Sequence, residues 1–388
     1  MTGIEADVII VGAGSVGSMA AWQLSRAGVK VVAIDRFSIP GPFSAYAGES
    51  RLFRKVYAEG GHYTPVLARA QELWRELERE SGLSLLKTPG AVTILDDDHA
   101  EVASLMTAAI DHGLKFSRLA GDEARAAYPE HTIRDDDVAI FDPEGGYVKS
   151  EQAVVAALRL AAMNGAQFLN NRSAIAVERD GDAWVVVTDR ERVSAPRVLV
   201  ATGTGAGPVC DALGTHVAVL PQVLTWFPAR DPAVFSRPGL PVFLRRSKDA
   251  RFYGFPSSDG WSVKVAASVY LDEVESMKTP ITWDPRHLDT VRSWVEEFLP
   301  GLIPDPVRTV VCADGYTVDE TALLGAVPGM PGVVVAVGLS GHGFKMSPAL
   351  AHLASEILFT GESSIDIEFM HPARFLDEGS VLGRLPLS

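Results

Sequence analysis

The chain has 388 residues, 47% hydrophobic and 22% charged, a globular composition too long for one compact core and suited to two domains. Its formal charge of −14 argues against nucleic acid and anionic membrane surfaces as partners, though local arginines and lysines in a cleft still suit an anionic substrate. No apolar run approaches a membrane span, Glu5 and Asp7 sit where a secretory signal would be apolar, and only two cysteines, Cys210 and Cys312, are present, so a reducing cytoplasm is expected.

Asp7–Val11 reads as a buried strand, Ser18–Ala27 as a helix stopped by Gly28, and Val29–Ile34 as a second apolar strand closing on Asp35, together a βαβ unit. Between the first strand and the helix lies Gly12-x-Gly14-x-x-Gly17. Gly12 permits the tight turn, Gly14 lets backbone approach a pyrophosphate, and Gly17 lets the helix close on the strand. The helix start aims free N–H groups at the anion. Asp35, 23 residues after Gly12, stands where a carboxylate accepts from ribose hydroxyls, and an acid there disfavours NADP. These residues fit FAD and NAD equally.

Farther along, Thr64-Pro65 opens a helix whose apolar positions Val66, Leu67, Ala70, Leu73, Trp74 and Leu77 recur at helical spacing through Glu80. Ser50-Arg51-Leu52-Phe53-Arg54 places two arginines three apart, which share a face if the segment is a helical turn. Near Gly90–Leu95 the period changes toward strand. A helix begins near Ser150, and Arg197–Thr202 is a strand running into the glycine-rich turn 203–207. Short strands are expected over 216–300, then a helix over 285–299. Within them Arg251–Ala266 reads as a hairpin turning at Asp259-Gly260. That register sets Tyr253 opposite Ala266 and Phe255 opposite Lys264, so Tyr253 and Lys264 share one side while Trp261, Val263 and Val265 enter the core. Val333–Val337 is a last buried strand before the Gly341 loop and a helix to Leu358. The mixture predicts a Rossmann-type α/β domain interrupted twice by an α+β, mainly antiparallel-sheet domain.

On pattern alone Cys312 is an inert small hydrophobe, Lys264 a solvated strand lysine, and Arg51 and Arg54 a solvated basic turn. Longer motifs change that weighting. Cys312-Ala313-Asp314-Gly315-Tyr316-Thr317-Val318-Asp319-Glu320, Gly338-Leu339-Ser340-Gly341-His342-Gly343-Phe344-Lys345-Met346-Ser347, Tyr253-Gly254-Phe255-Pro256 before Lys264, and the glycine triplet together resemble the monomeric sarcosine oxidase and N-methyltryptophan oxidase family of flavoenzymes, nearly end to end.

The resemblance implies an FAD-binding domain over 1–82, 148–215 and 316–388, and a substrate domain over 83–147 and 216–315. It implies FAD carried through a thioether to Cys312; an electropositive setting would favour the thiolate, and His342 either supplies part of it or is a satisfied loop histidine. The cofactor contacts it implies are Gly12, Ala13, Gly14, Ser15, Val16, Gly17, Asp35, Arg36, Ser50, Arg51, Val177, Cys312, Gly341, His342, Gly343, Phe344 and Lys345. Lys264, Arg51 and Tyr253 are the catalytic candidates, with Lys264 stabilising charge that develops on dioxygen. By the same resemblance Arg54 and Lys345 clamp a substrate carboxylate; Tyr253 and Asp314 are candidates for contact with its amine, Asp314 being equally able to cap a nearby turn. Cys210 reads as structural.

The expected reaction is oxidation of a secondary amino acid, N-methyl or cyclic, to an imine, with O2 consumed and H2O2 released, by a monomer needing no metal. Two departures shape the substrate: sarcosine-oxidising relatives carry histidine where Ser268 stands and tyrosine where Asp314 stands. Oxidation of a biosynthetic imino-acid intermediate, a dehydrogenase using an electron carrier, and a non-catalytic binding protein on the same fold are the alternatives.

Overall fold

The computed structural model describes residues 3–41, 44–57, 60–204, 216–268, 271–274 and 283–375; Cys210 and residues 205–207 of the glycine-rich turn lie outside them. A six-stranded sheet runs in the order Gln167–Asn170, Val31–Asp35, Val8–Val11, Arg197–Gly203, Val333–Val337, Leu323–Ala326. Its first five strands are parallel and the last is antiparallel. Val8, Ile9, Ile10, Val333, Val334 and Val335 are buried because helices or a second sheet cover both faces.

The glycine triplet turns as its spacing requires. The helix starts at Ser15, three residues before the expected Ser18, and ends at Arg26, where Gly28 takes φ 82°. A Cβ on Gly17 would lie 1.8 Å from the Gly12 carbonyl oxygen, so only glycine lets this helix sit so close to the strand.

An eight-stranded sheet, in the order Arg308–Tyr316, Ala218–Pro228, Ser262–Ala267, Arg251–Gly254, Val242–Arg246, Ala91–Asp96, Asp137–Asp142, Ser117–Ala120, is antiparallel except where Val242–Arg246 meets Ala91–Asp96. Two of its strands are long, 11 and 9 residues; the first, Ala218–Pro228, lies where shorter ones were expected. Phe227, Phe243, Phe252, Val263 and Val265 fill its core against the helix His287–Phe298.

The hairpin register is as expected, Tyr253 opposite Ala266, with Phe255 N–H bonded to the Lys264 carbonyl. The turn differs. Strands Arg251–Gly254 and Ser262–Ala267 are joined by seven residues folded around Asp259, whose carboxylate accepts from the N–H groups of Trp261 and Ser262 and from Ser262 Oγ. That loop turns Trp261 outward to 50% exposure instead of into the core. No helix among the described residues is long and apolar enough to cross a membrane.

Candidate active site

A cavity of about 620 Å³ opens over the glycine turn, from Asp35 and Arg36 past Gly12, Gly14 and Ser15 to Thr202 and Ala313. Gly12 lies at φ 92°, and a Cβ there would meet the Ala201 carbonyl at 2.5 Å; Gly14 has only Tyr46 near it, at 3.7 Å. The turn is thus closed against the sheet and open toward the cavity. The helix begins at Ser15 with no side-chain cap on its first N–H groups, which suits a pyrophosphate. Asp35 accepts from Ala13 N–H and Phe37 N–H, both at 2.9 Å, so the acid also braces the turn. Burial pushes its carboxyl above the usual range. This cradle fits a dinucleotide. Val16 packs in the core beneath it. Val177 also packs into the core and pairs with Val186; Ala174 and Ile175, at the start of the same strand, line the cavity in its place.

Ala313 borders this cavity, and its neighbour Cys312 lies on the same strand of the antiparallel sheet. Because strand side chains alternate, the register brings Leu224, Trp226, Ala266, Tyr253 and Cys312 into one cluster. Lys264 lies opposite Trp226; Asp314 lies two residues beyond Cys312, opposite Leu220. Lys264 is only 3% exposed. Its ammonium donates to the carbonyls of Gly48 (2.7 Å) and Ser50 (2.8 Å) and lies 4.8 Å from the Phe255 ring centre. Burial first, then the Arg51 charge, hold its pKa well below the usual lysine value, while Cys312, Glu49 and Glu151 act the other way.

Arg51 donates to the carbonyls of Ser50, Ala45 and Ala47 at 2.8, 2.5 and 2.7 Å, and its Nη2 lies 3.7 Å from Cys312 Sγ. Burial pushes the Cys312 thiol up; Arg51 and Lys264 pull it down and Asp314 pushes it up. The positive setting therefore comes from Arg51 and Lys264. His342 is instead a satisfied loop histidine: its Nε2 donates to the Glu320 carbonyl at 2.9 Å and its ring stands edge-on to Tyr63.

Ser50–Phe53 is a strand paired with Gly146–Lys149, not a helical turn. Arg51 and Arg54, three apart, accordingly diverge, Arg51 to Cys312 and Arg54 elsewhere. Arg54, 4% exposed, lies 5.5 Å above the Tyr57 ring centre, and the Lys345 ammonium lies 4.5 Å from the same ring centre. The two cations therefore meet at Tyr57. Lys345 Nζ donates to the His342 carbonyl at 2.8 Å, and Trp74 Nε1 donates to the Lys345 carbonyl at 2.8 Å while stacking on Phe344. Gly341 takes φ 75°, and its N–H, with that of Gly315, is held by Asp314. Desolvation pushes the Asp314 carboxyl up to about 6, against those two N–H groups and Arg51. Tyr253 donates to Gln222 Oε1 at 3.3 Å, and Ser268 N–H donates to the Arg251 carbonyl.

Sequence reasoning missed four residues. Glu151 accepts from the N–H groups of Gly48 and Glu49 and so fixes the carbonyls that hold Lys264. Glu49, at φ 74°, binds Arg308, Trp226 Nε1 and Ser258 Oγ. Tyr57 lies against both Arg54 and Lys345, and Trp74 anchors the loop of Lys345. Only Trp74 carried a signal, as a core position on a well-marked helix; the others act through partners distant in sequence.

The comparisons agree with this architecture. A family model described as FAD dependent oxidoreductase matches residues 7–357. Monomeric sarcosine oxidase from Bacillus sp. (strain B-0618) is 30% identical over 366 residues, spanning 93% of this chain and 94% of the relative. N-methyl-L-tryptophan oxidase from Yersinia pestis (strain Pestoides F) is 30% identical over 374 residues, spanning 96% and 100%. Among solved structures, L-proline dehydrogenase from P. horikoshii superposes with TM-score 0.85 at 20% identity, covering 97% of this chain and 99% of that one. NikD, an amino acid oxidase of nikkomycin biosynthesis, superposes with TM-score 0.84 at 21% identity, covering 95% and 98%. At these identities the two superpositions speak to fold alone. The chain belongs to the FAD dependent oxidoreductase family, with FAD as its cofactor and the same fold class as the sarcosine and N-methyltryptophan oxidases it is similar to.

Proposed function

We propose that this protein oxidises a secondary-amine amino acid, N-methylated or cyclic, with dioxygen as acceptor and hydrogen peroxide as product, using FAD tethered through Cys312. The observation that carries the reading is the meeting of Arg54 and Lys345 at Tyr57, with Lys345 following the Gly341 loop that Asp314 joins to the cysteine strand. FAD, when bound, takes a hydride from the carbon bearing the amine and later passes two electrons to dioxygen.

The chain's own residues do the rest. A guanidinium and an ammonium, both nearly buried and both against the Tyr57 ring, suit a substrate carboxylate through charge-assisted hydrogen bonds. Fixing the carboxylate orients the amine for transfer. Asp314, with a carboxyl that titrates near 6, is the anion on this face suited to the amine. Tyr253, steadied by Gln222, is a second amine contact. Arg51 favours the Cys312 thiolate that thioether formation requires. Lys264 uses two of its three donors on the carbonyls of Gly48 and Ser50, which leaves the third for the charge that develops on dioxygen.

Asp314 and Ser268, at the positions named above, favour a cyclic or larger amine over sarcosine. A peroxide assay across sarcosine, N-methyl aromatic amino acids, proline and pipecolate ranks these. Lys264→Met tests the oxygen step: reduction by substrate under anaerobic conditions should persist, while reoxidation in air slows by about 10²–10³-fold, the scale of one preorganised charge. The depressed lysine pKa adds a sign. Reoxidation in the unsubstituted protein should slow as pH rises, because the ammonium is lost below the ordinary lysine range, and the variant should lose that dependence. Unchanged reoxidation would remove Lys264 from the mechanism.

A further inference from the structure

We propose that Arg251 is a second anion-binding residue of the substrate site, so that the amino acid oxidised carries a second carboxylate. This rests on the reading of the protein as an amino-acid oxidase and names the class of its substrate. Strand pairing fixes where Arg251 stands. It lies opposite Arg246, which lies opposite Leu95. On its other side the Ser268 N–H donates to the Arg251 carbonyl. The register of Leu224 with Ala266, continued by two residues, sets Gln222 beside Ser268, and the Gln222 amide donates to the Ala267 carbonyl at 3.0 Å. Gln222 in turn lies opposite Cys312. One cross-strand row therefore runs from Leu95 through Arg246, Arg251, Ser268 and Gln222 to Cys312.

The row lies on the face of the site. Tyr253, two residues after Arg251, joins Cys312 in one cluster, while Phe252 packs in the opposite core. Side chains two apart on a strand share a face, so Arg251 is on the cysteine's side of the sheet. At the far end of the row Leu95 shares an apolar cluster with Val56. Val56 precedes Tyr57, against which Arg54 and Lys345 lie. Along this face Arg251 falls between the carboxylate clamp and the cysteine.

Charge along the row is unevenly used. Arg246 holds both oxygens of Glu101 at 2.8 Å. Arg251 is exposed, and no described residue is bonded to its guanidinium. A chain with a formal charge of −14 repels anions at long range, so a doubly anionic substrate needs local cations. Arg54 and Lys345 supply one site and Arg251 the other. A planar guanidinium grips a carboxylate at two points, and the Ser268 hydroxyl stands beside it in the row. An amino acid with one carboxylate fills the clamp and leaves Arg251 to water. One with a second carboxylate engages both.

The test compares matched pairs in flavin reduction and peroxide release. N-methylglutamate against N-methylglutamine places the second carboxylate on the side chain, and iminodiacetate against sarcosine places it on the N-substituent. Pipecolate against pipecolate bearing a second carboxylate on the ring carbon across the nitrogen places it on the ring. In at least one pair the dicarboxylic member should have the higher kcat/KM by about tenfold at low salt, an advantage that shrinks as ionic strength rises. Arg251→Gln should erase that ratio, acting on KM more than on kcat because the guanidinium is remote from the bond that breaks. Arg251→Lys should restore part of it. No preference for a dicarboxylic member in any pair, a ratio that survives Arg251→Gln, or a loss carried wholly by kcat would each overturn the assignment. If no amino acid of either kind reduces the flavin, the oxidase reading falls and this inference with it; if the monocarboxylic members react and the dicarboxylic ones gain nothing, only this inference falls.

Discussion

Around Gly12 the fold works with backbone: a left-handed turn, a helix start and one acid that holds two N–H groups, all within 30 residues of chain. Around Cys312 it works with buried charge. Arg51, Lys264 and Asp314 converge there from three segments, Arg54 and Lys345 meet nearby from two, and Lys264, Arg54 and Lys345 are nearly out of water while Arg51 is half-buried. The first arrangement tolerates much variation in side chains but none in backbone geometry. The second depends on partners that keep charges satisfied at low dielectric, since an unpaired buried ion costs several kcal/mol.

Substitutions can break that contrast at either end. The largest effect is expected at Gly12. Gly12→Val forces φ 92° on a β-branched residue and drives its Cβ within 2.5 Å of the Ala201 carbonyl, so about 3 kcal/mol or more of stability should be lost, read as a lowered Tm together with loss of bound FAD. Next comes Arg54→Ala, which removes half of the carboxylate clamp. Substrate affinity should weaken by about 2 kcal/mol, or some thirtyfold in Kd, while the absorbance of bound flavin stays. A Tm shift as large as that of Gly12→Val would instead make Arg54 a structural residue.

The smallest effect sharpens the comparison through pH. Asp314 is protonated below about 6 and anionic above it, so binding of a cationic amine should strengthen as pH rises through that range. Asp314→Asn keeps an acceptor for the Gly341 N–H yet removes the titration, and its binding profile should be flat there. An unchanged inflection would assign the titration to another group.

The legibility of these two ends in the sequence follows from the same physics. The glycine turn is local: its residues, spacing and flanking apolar runs sit on one stretch of chain, so the βαβ unit and its ligand class were readable, with the helix start moved by three residues and the strand starts by one and two. The strand pair carrying Tyr253 and Lys264 was readable too, because alternation fixes the side each residue takes, but the side chains of Asp259 and Ser257 built a longer loop and turned Trp261 outward. What stayed hidden are contacts between distant segments. That Arg51 lies on a strand, with Arg54 just past its end, depends on pairing with 146–149, and that Glu151 holds the Lys264 cradle depends on a contact over 102 and 103 residues. Motif resemblance suggested the roles proposed for Cys312, Lys264 and Lys345 and set Arg51 near the flavin; the contact of Arg51 with the sulfur itself emerged only from the fold.

That sulfur offers the most direct measurement. Purified protein precipitated in acid should give a yellow pellet, and mass spectrometry of its Cys312 peptide should show the mass of FAD added to the cysteine. Flavin wholly in the supernatant, with an unmodified Cys312 peptide, would contradict the tether and with it the account of why two cations crowd a buried thiol.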